Sequence, residues 1–295
     1  MIFSLLLGYF LIVHPITTPP DNSLIITKDG ETVSIINRED FTFSQTGLPI
    51  LNSKKYSQFL DNLDKKFSIE SKNANLDQYG AIIPERAGSQ IHRQAFTEQF
   101  YTYIFSFKKA KMELPILPVY PKVDSELLDD IRSMRIGRYV TSFNPRNKKR
   151  STNIELATNA INNHVVFPGE TFSFNRVVGK RTAAKGYLRA PVIVRGEFSE
   201  DIGGGICQVS STLYNAVDNA GIKIVERFSH SRKVPYIPPG RDATVSWYGP
   251  DFGFKNTYNQ PVLIRARTLG HLLIIKIYSS ENINYIPRKV PSPPY

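Results

Sequence analysis

At 295 residues, 41% hydrophobic and 12% aromatic, the chain is long enough for two domains with real cores, which excludes disorder as its general state. A formal net charge of +11 points to a negative partner surface, for which nucleic acid, anionic lipid and wall polymers all qualify; no zinc-finger spacing, RNP-like motif or recognition helix accompanies it, so nucleic acid is not expected. The one cysteine excludes an internal disulfide, and no His, Cys, Asp and Glu cluster has metal-ligand spacing, so no metal or other cofactor is expected.

Ile2 to Val13 is almost wholly apolar, and Thr17, Thr18, Pro19 and Pro20 break the pattern. That run has the length of a signal-peptide core and is short for a bilayer span. It lacks a preceding Lys or Arg and a clear cleavage site, so cleaved signal, retained anchor, misplaced start and buried strand stay open. Residues 1–20 are read as a signal peptide or membrane anchor, which places the protein outside the cytoplasm in the cell envelope.

Residues 21–118 read as a small α+β domain without a catalytic constellation. Leu24 to Thr27 and Thr32 to Ile36 are strand-like around a Lys28, Asp29, Gly30 turn. Tyr56, Phe59, Leu60, Leu63 and Phe67 recur at helical spacing, while Phe100 to Phe107 is aromatic and β-prone. The proline-rich Leu114 to Pro121 stretch reads as a connection, continued over residues 119–136, in which Asp124 or Ser125 caps a short helix through Leu127, Leu128 and Ile131.

Residues 137–280 form the second domain, expected as a mixed sheet with a helix carrying the cysteine at its N-terminus. Tyr139 to Phe143 reads as a strand. Arg146, Lys148, Lys149 and Arg150 read as a solvated basic loop, after which Ser151 or Thr152 caps a helix through Ile154, Ala157 and Ile161. Residues 281–295 look like a proline-rich tail.

The informative segment runs Gly203, Gly204, Gly205, Ile206, Cys207, Gln208, Val209, Ser210, Ser211, Thr212, Leu213, Tyr214. Three glycines before a periodic stretch describe a permissive loop entering a helix. At 100° per residue, Val209, Leu213, Ala216 and Ala220 share one side, and Cys207, Ser210, Ser211, Tyr214 and Asp218 the other. A thiol at a helix N-terminus is acidified by the dipole, and the backbone of Gly204, Gly205 and Ile206 can aim amides at an oxyanion. The bland alternative is an inert cysteine beside a tight turn.

A cysteine nucleophile needs a base. His230 is best placed, after the strand Ile222 to Phe228; His164 and His271 read as surface residues. Asp242 either orients the imidazole or makes a turn, and the turn is the simpler reading.

The stretches Phe167 to Asn175, Val178 to Thr182, Gly203 to Tyr214, His230 with Ser231, and Tyr236 to Val245 together resemble the VanW domain over about Gly137 to Tyr278; the preceding domain is similar, more weakly, to a peptidoglycan-binding module. The resemblance implies a cell-wall role tied to glycopeptide resistance. It also implies a cysteine L,D-transpeptidase that joins peptidoglycan stem peptides through a thioester, with Cys207 as nucleophile; His230 as base rests on position alone. Arg181 and Arg241 are then candidate clamps for substrate carboxylates, and Ser210, Ser211 and Tyr214 candidate substrate contacts. Two alternatives stand: a cysteine hydrolase of wall peptides, and a non-catalytic wall-binding or resistance-accessory protein.

Overall fold

A computed structural model describes residues 22–43, 50–194 and 197–294. The apolar N-terminal segment lies outside the described residues. Among those described, no helix is long and apolar enough to cross a membrane. The chain is α+β and divides into two compact units, one ending at Lys72 and resuming over Arg86–Pro121, the other made of Asn73–Glu85 and the chain from Lys122 on.

In the first unit, Ser23–Lys28 pairs antiparallel with Glu31–Asn37 and parallel with Ala110–Glu113. The helix Ser53–Phe67 starts where the Asn52 side chain accepts from the Lys55 N–H, and it buries Tyr56, Leu60 and Leu63. The β-prone aromatic segment is instead helical, over Arg93–Ser106. Its aromatics recur at helical as well as strand-like density, and burying Phe96, Phe100, Tyr103 and Ile104 on one face outweighs local β preference. The proline-rich connection is partly a strand: Ile116–Val119 pairs with Gly88–Ile91.

The second unit takes in a segment that its sequence does not advertise. Asn75–Leu76 and Ile82–Ile83 form a small hairpin, and Ala74 and Leu76 share a core with Leu128, Ile131 and Leu263. The short helix Ser125–Ile131 is capped by Asp124, whose side chain accepts from the Leu127 N–H. The main sheet has the order Met134–Ser142, Leu272–Ser279, Val262–Leu269, His164–Val166. Every pairing in it is antiparallel, not mixed.

Besides the short helix Ser125–Ile131, the longer helices Lys148–Ile161 and Ile206–Asn219 pack against this sheet, the latter here called the cysteine helix. The first buries Ile154, Ala157 and Ile161, and the second Val209, Leu213, Ala216 and Val217, against Ile264, Leu273 and Ile275. Each fully buried aliphatic side chain contributes about 1.5–3 kcal/mol. Gly137 lets the cysteine helix press onto the edge strand, because a Cβ there would collide with the Ala216 carbonyl and the Ala220 side chain. A second sheet, Thr171–Ser173, Gly253–Lys255 and Lys223–Glu226, stacks Phe172 on Phe254 at 4.8 Å.

The proline-rich end is not free. The Tyr139 hydroxyl donates to the Pro291 carbonyl at 2.8 Å, the Arg288 N–H to the Asn219 carbonyl at 3.0 Å, and Arg288 Nη1 to Asp218 Oδ1 at 2.8 Å. With Ile283 buried in the core, this segment straps the C-terminal end of the cysteine helix.

Candidate active site

The glycine run is dictated by its surroundings. Gly203 and Gly205 have φ of +93° and +106°, where side chains are strained, and a Cβ on Gly204 would collide with the carbonyls of Ala190 and Pro191. Asn153, wholly buried on the neighbouring helix, holds the run in place: its Nδ2 donates to the Leu188 and Gly204 carbonyls, each at 2.9 Å, and its Oδ1 accepts from the Leu188 N–H at 2.8 Å. The turn delivers Cys207, a half-buried residue, as the second residue of the cysteine helix.

The side of this helix opposite the apolar stripe does not face water. Ser210, Ser211 and Asn215 are fully buried, because residues 227–246 fold back over them. Ser210 Oγ donates to the Ala243 carbonyl at 2.6 Å, the Ala243 N–H donates to Ser211 Oγ at 2.9 Å, and Asn215 Nδ2 donates to the Arg241 carbonyl at 2.8 Å. The serines expected to touch substrate therefore anchor a loop, and that loop carries the partners of the thiol.

Cys207 Sγ lies 3.5 Å from the Val245 amide nitrogen, which donates to it, and 3.6 Å from Thr244 Oγ1. The His230 imidazole lies close enough to the sulfur that each favours the charged form of the other. Its Nδ1 sits 2.7 Å from Asp242 Oδ2, so Nε2 is the nitrogen turned to the thiol. The same carboxylate oxygen accepts from the His230 backbone N–H at 2.5 Å. Asp242 thus fixes both the ring and the backbone of His230, and it is more than a turn residue. A cavity of about 270 Å³ opens beside the pair, lined in part by Ser231, Lys233, Val234 and Pro238.

Electrostatics favour an ion pair. Burial pushes the Cys207 thiol up, but the hydrogen bond and charge of His230, with the Val245 N–H and Thr244 hydroxyl, bring it below its ordinary value. Burial pulls His230 down, yet Asp242 and the Cys207 sulfur raise it from 6.5 to about 9. Asp242 is desolvated too, and its bonds to His230 hold it below the usual carboxylate range. Thiolate and imidazolium stabilise each other, as activated cysteine nucleophiles require.

Three arginines flank the site, with different fates. Arg241 is consumed: its Nη2 meets Asp218 Oδ2 at 2.6 Å, its Nε donates to Asn215 Oδ1 at 2.8 Å, and its guanidinium covers the Tyr214 ring at 4.6 Å. Arg227 covers the same ring at 5.0 Å. Arg241, expected as a clamp, and Tyr214, expected as a substrate contact, thus serve to attach the loop. Arg150, expected on a solvated loop, lies on the helix Lys148–Ile161, which is capped by Asn147 rather than Ser151 or Thr152. Its Nη2 donates to Gln208 Oε1 at 2.8 Å and its guanidinium faces the Tyr236 ring at 5.9 Å. Arg181 is the opposite case, with Nη1 and Nη2 both shielded from solvent and neither hydrogen-bonded.

Sequence reasoning missed Asn153, Arg150 and Tyr236. Tyr236 lies near Ser211 and Cys207, and burial, with the nearby Cys207 charge, pushes its phenol up. Of the backbone amides of Gly204, Gly205 and Ile206 expected to face an oxyanion, that of Ile206 is spent on the Gly203 carbonyl at 3.2 Å; outside that set, the Gln208 N–H is spent on the Gly205 carbonyl at 3.0 Å. The Cys207 amide between them makes no such bond. Among the described residues, no group of His, Cys, Asp and Glu side chains is arranged to hold a metal ion.

The family described as VanW like protein matches residues 149–278. The chain is also 55% identical over 294 residues to the uncharacterized protein YoaR of Bacillus subtilis (strain 168), covering 100% of this chain and 96% of that one. The chain belongs to the VanW family. It is 32% identical over 109 residues to the Vancomycin B-type resistance protein VanW of Enterococcus faecalis (strain ATCC 700802 / V583), covering 35% of this chain and 40% of that protein. No solved structure matches. The VanW match takes in Arg150, Arg181, Cys207, His230, Tyr236 and Asp242, while the edge strand Met134–Ser142 and the strap after residue 278 lie outside it.

Proposed function

We propose that this VanW-family protein is a cysteine acyltransferase of the cell wall, an L,D-transpeptidase that cross-links peptidoglycan stem peptides. The observation that carries the reading is the alignment of Asp242, His230 and Cys207, with Nδ1 held at 2.7 Å on the carboxylate and the imidazole and the sulfur favouring each other's charged forms. The family supplies the setting: a relative named for vancomycin resistance supports a place at the wall, and the net charge of +11 suits anionic wall polymers there. A wall enzyme works outside the cytoplasm, in keeping with the apolar N-terminal run.

In this mechanism the Cys207 thiolate attacks the carbonyl carbon of a donor stem. Negative charge moves to the carbonyl oxygen, which the uncommitted Cys207 N–H at the helix start can stabilise. The His230 imidazolium gives its Nε2 proton to the leaving amine, whose C–N bond breaks to leave a thioester. An acceptor amine then attacks the thioester, neutral His230 takes its proton, and the C–S bond breaks to restore the thiolate. Asp242 keeps Nε2 aimed at the sulfur throughout and favours the protonated ring.

The test is incubation of the purified protein with tetrapeptide stems and mass spectrometry of the products. Cross-linked dimers from wild type and none from Cys207→Ala support the proposal. Dimers made equally well by Cys207→Ala refute the nucleophile, and stems cleaved without dimers convert the assignment to a hydrolase.

A further inference from the structure

Among the described residues, Arg181 is a cation beside this site whose two terminal nitrogens are buried without a hydrogen bond. Its aliphatic part packs over Gly203, with Cβ and Cγ 3.4 and 3.3 Å from where a Gly203 Cβ would stand. Its guanidinium lies over the Phe174 ring at 5.9 Å. This packing fixes the fork at the turn that presents Cys207. The charges of Arg181 and the sulfur act on each other.

The nearby acid is already occupied. Asp251 accepts from Ser173 Oγ at 2.5 Å, from the Asn175 N–H at 2.8 Å and from the Phe252 N–H at 2.7 Å. Arg150 and Arg241 find neutral or acidic oxygens at 2.6 to 2.8 Å, whereas Nη1 and Nη2 of Arg181 find none. A guanidinium is an obligate donor, and leaving it desolvated without an acceptor is costly. A planar fork in that state is made for a bidentate oxyacid.

Resting on the acyltransferase reading, we infer that Arg181 determines donor specificity: it receives a carboxylate of the donor peptide and thereby places the scissile carbonyl over Cys207. Two carboxylates on a stem can fill the role, that of the leaving C-terminal residue and that of an acidic side chain. Both present the same chemistry to the fork. Fixing it there makes attack effectively intramolecular, so neutralising the carboxylate costs the enzyme its preferred geometry as well as an ion pair.

The test uses two small alkylating agents, each of which forms an Sγ–C bond at Cys207 and expels iodide. Iodoacetate carries a carboxylate; iodoacetamide is its neutral counterpart. In wild type the ratio of iodoacetate to iodoacetamide rates is expected to exceed that of Arg181→Gln by about tenfold, the equivalent of roughly 1.4 kcal/mol. Arg181→Lys, which keeps the charge and loses the fork, retains part of the preference. The comparison is made as a ratio because the Arg181 charge also acts on the sulfur, so that its loss slows both reagents together and the ratio alone reports the fork. An equal ratio in wild type, Arg181→Gln and Arg181→Lys overturns the inference.

Stem peptides then identify the carboxylate by their protection of Cys207 from iodoacetamide. Loss of protection on amidating the C-terminus assigns the terminal group, and loss on amidating the side chain assigns the other. Equal protection by both amides, indifferent to Arg181→Gln, overturns the inference. These readouts need no turnover, so a failure of cross-linking leaves the Arg181 result to be decided on its own.

Discussion

His230 and Asp242 are joined twice, through Nδ1 and through the backbone N–H of His230, to a single carboxylate oxygen, and both side chains are almost out of solvent at 6% and 8% exposure. That double attachment fixes ring orientation in a loop that would otherwise be free to turn. Asp242→Asn keeps the shape but removes the charge that holds the imidazole protonated. It is expected to lower turnover by about 10²–10⁴-fold and to move the inflection in Cys207 alkylation to higher pH; an unshifted inflection argues against the relay.

The pH dependence has a defined sign. Cys207 is lowered from 9.0 and His230 is raised to about 9, so the ion pair is populated from the folded thiol pKa up to about 9. Alkylation by iodoacetamide rises below pH 9, and transfer, which needs the imidazolium, declines above it. Stability follows by linkage. The His230 contribution is complete below about 6.5 and fades as pH rises through about 9; the Cys207 contribution is complete above 9.0 and fades as pH falls through its lowered pKa. A Tm profile of wild type against His230→Ala checks this, since the variant should lose the pair's pH dependence.

Asn153 is predicted to matter although it is no part of the chemistry. Asn153→Ala strands the Leu188 N–H and the Gly204 carbonyl and leaves the Leu188 carbonyl only the Gly203 N–H, costing about 1–3 kcal/mol for each buried group left unpaired. A lower Tm together with slower Cys207 alkylation is expected, because the glycine turn that aims the thiol loses its brace. Unchanged alkylation would mean that the turn holds itself.

Arg241→Gln should act on stability. Losing its bonds to Asp218 and Asn215 is expected to cost about 1–2 kcal/mol and lower the Tm, while the iodoacetate preference of Cys207 persists. Loss of that preference would return Arg241 to the substrate site.

The sequence disclosed the centre of the site better than its walls. Cys207 stood out because a glycine run followed by helical periodicity has few other readings, and His230 because it follows the next strand. Asp242 in a Gly-Arg-Asp turn looks the same whether it holds a histidine or merely turns the chain, and only the folding back of residues 227–246 separates the two. The wheel placed Cys207, Ser210 and Ser211 together correctly, but a polar face can be covered as well as exposed; buried, hydrogen-bonded serines leave no mark in the periodicity. Arg150 was hidden in a basic run whose other members suit a solvated surface, although Asn147 ahead of it is a fair N-cap. The helix Arg93–Ser106 was obscured by aromatics that favour strands locally, and Asn73–Glu85 by a chain that leaves one unit to lend a hairpin to the other, a pairing set by distant residues.

The central claim is that Cys207 becomes acylated by a stem peptide. Intact-mass spectrometry of the protein quenched during reaction with a tetrapeptide stem, followed by fragmentation, reads this directly. The account predicts a thioester adduct of the stem, less its leaving residue, located on Cys207 and absent in Cys207→Ala. Cross-linking in full progress with no adduct on Cys207 under rapid acid quench, or an adduct on another residue, would contradict it.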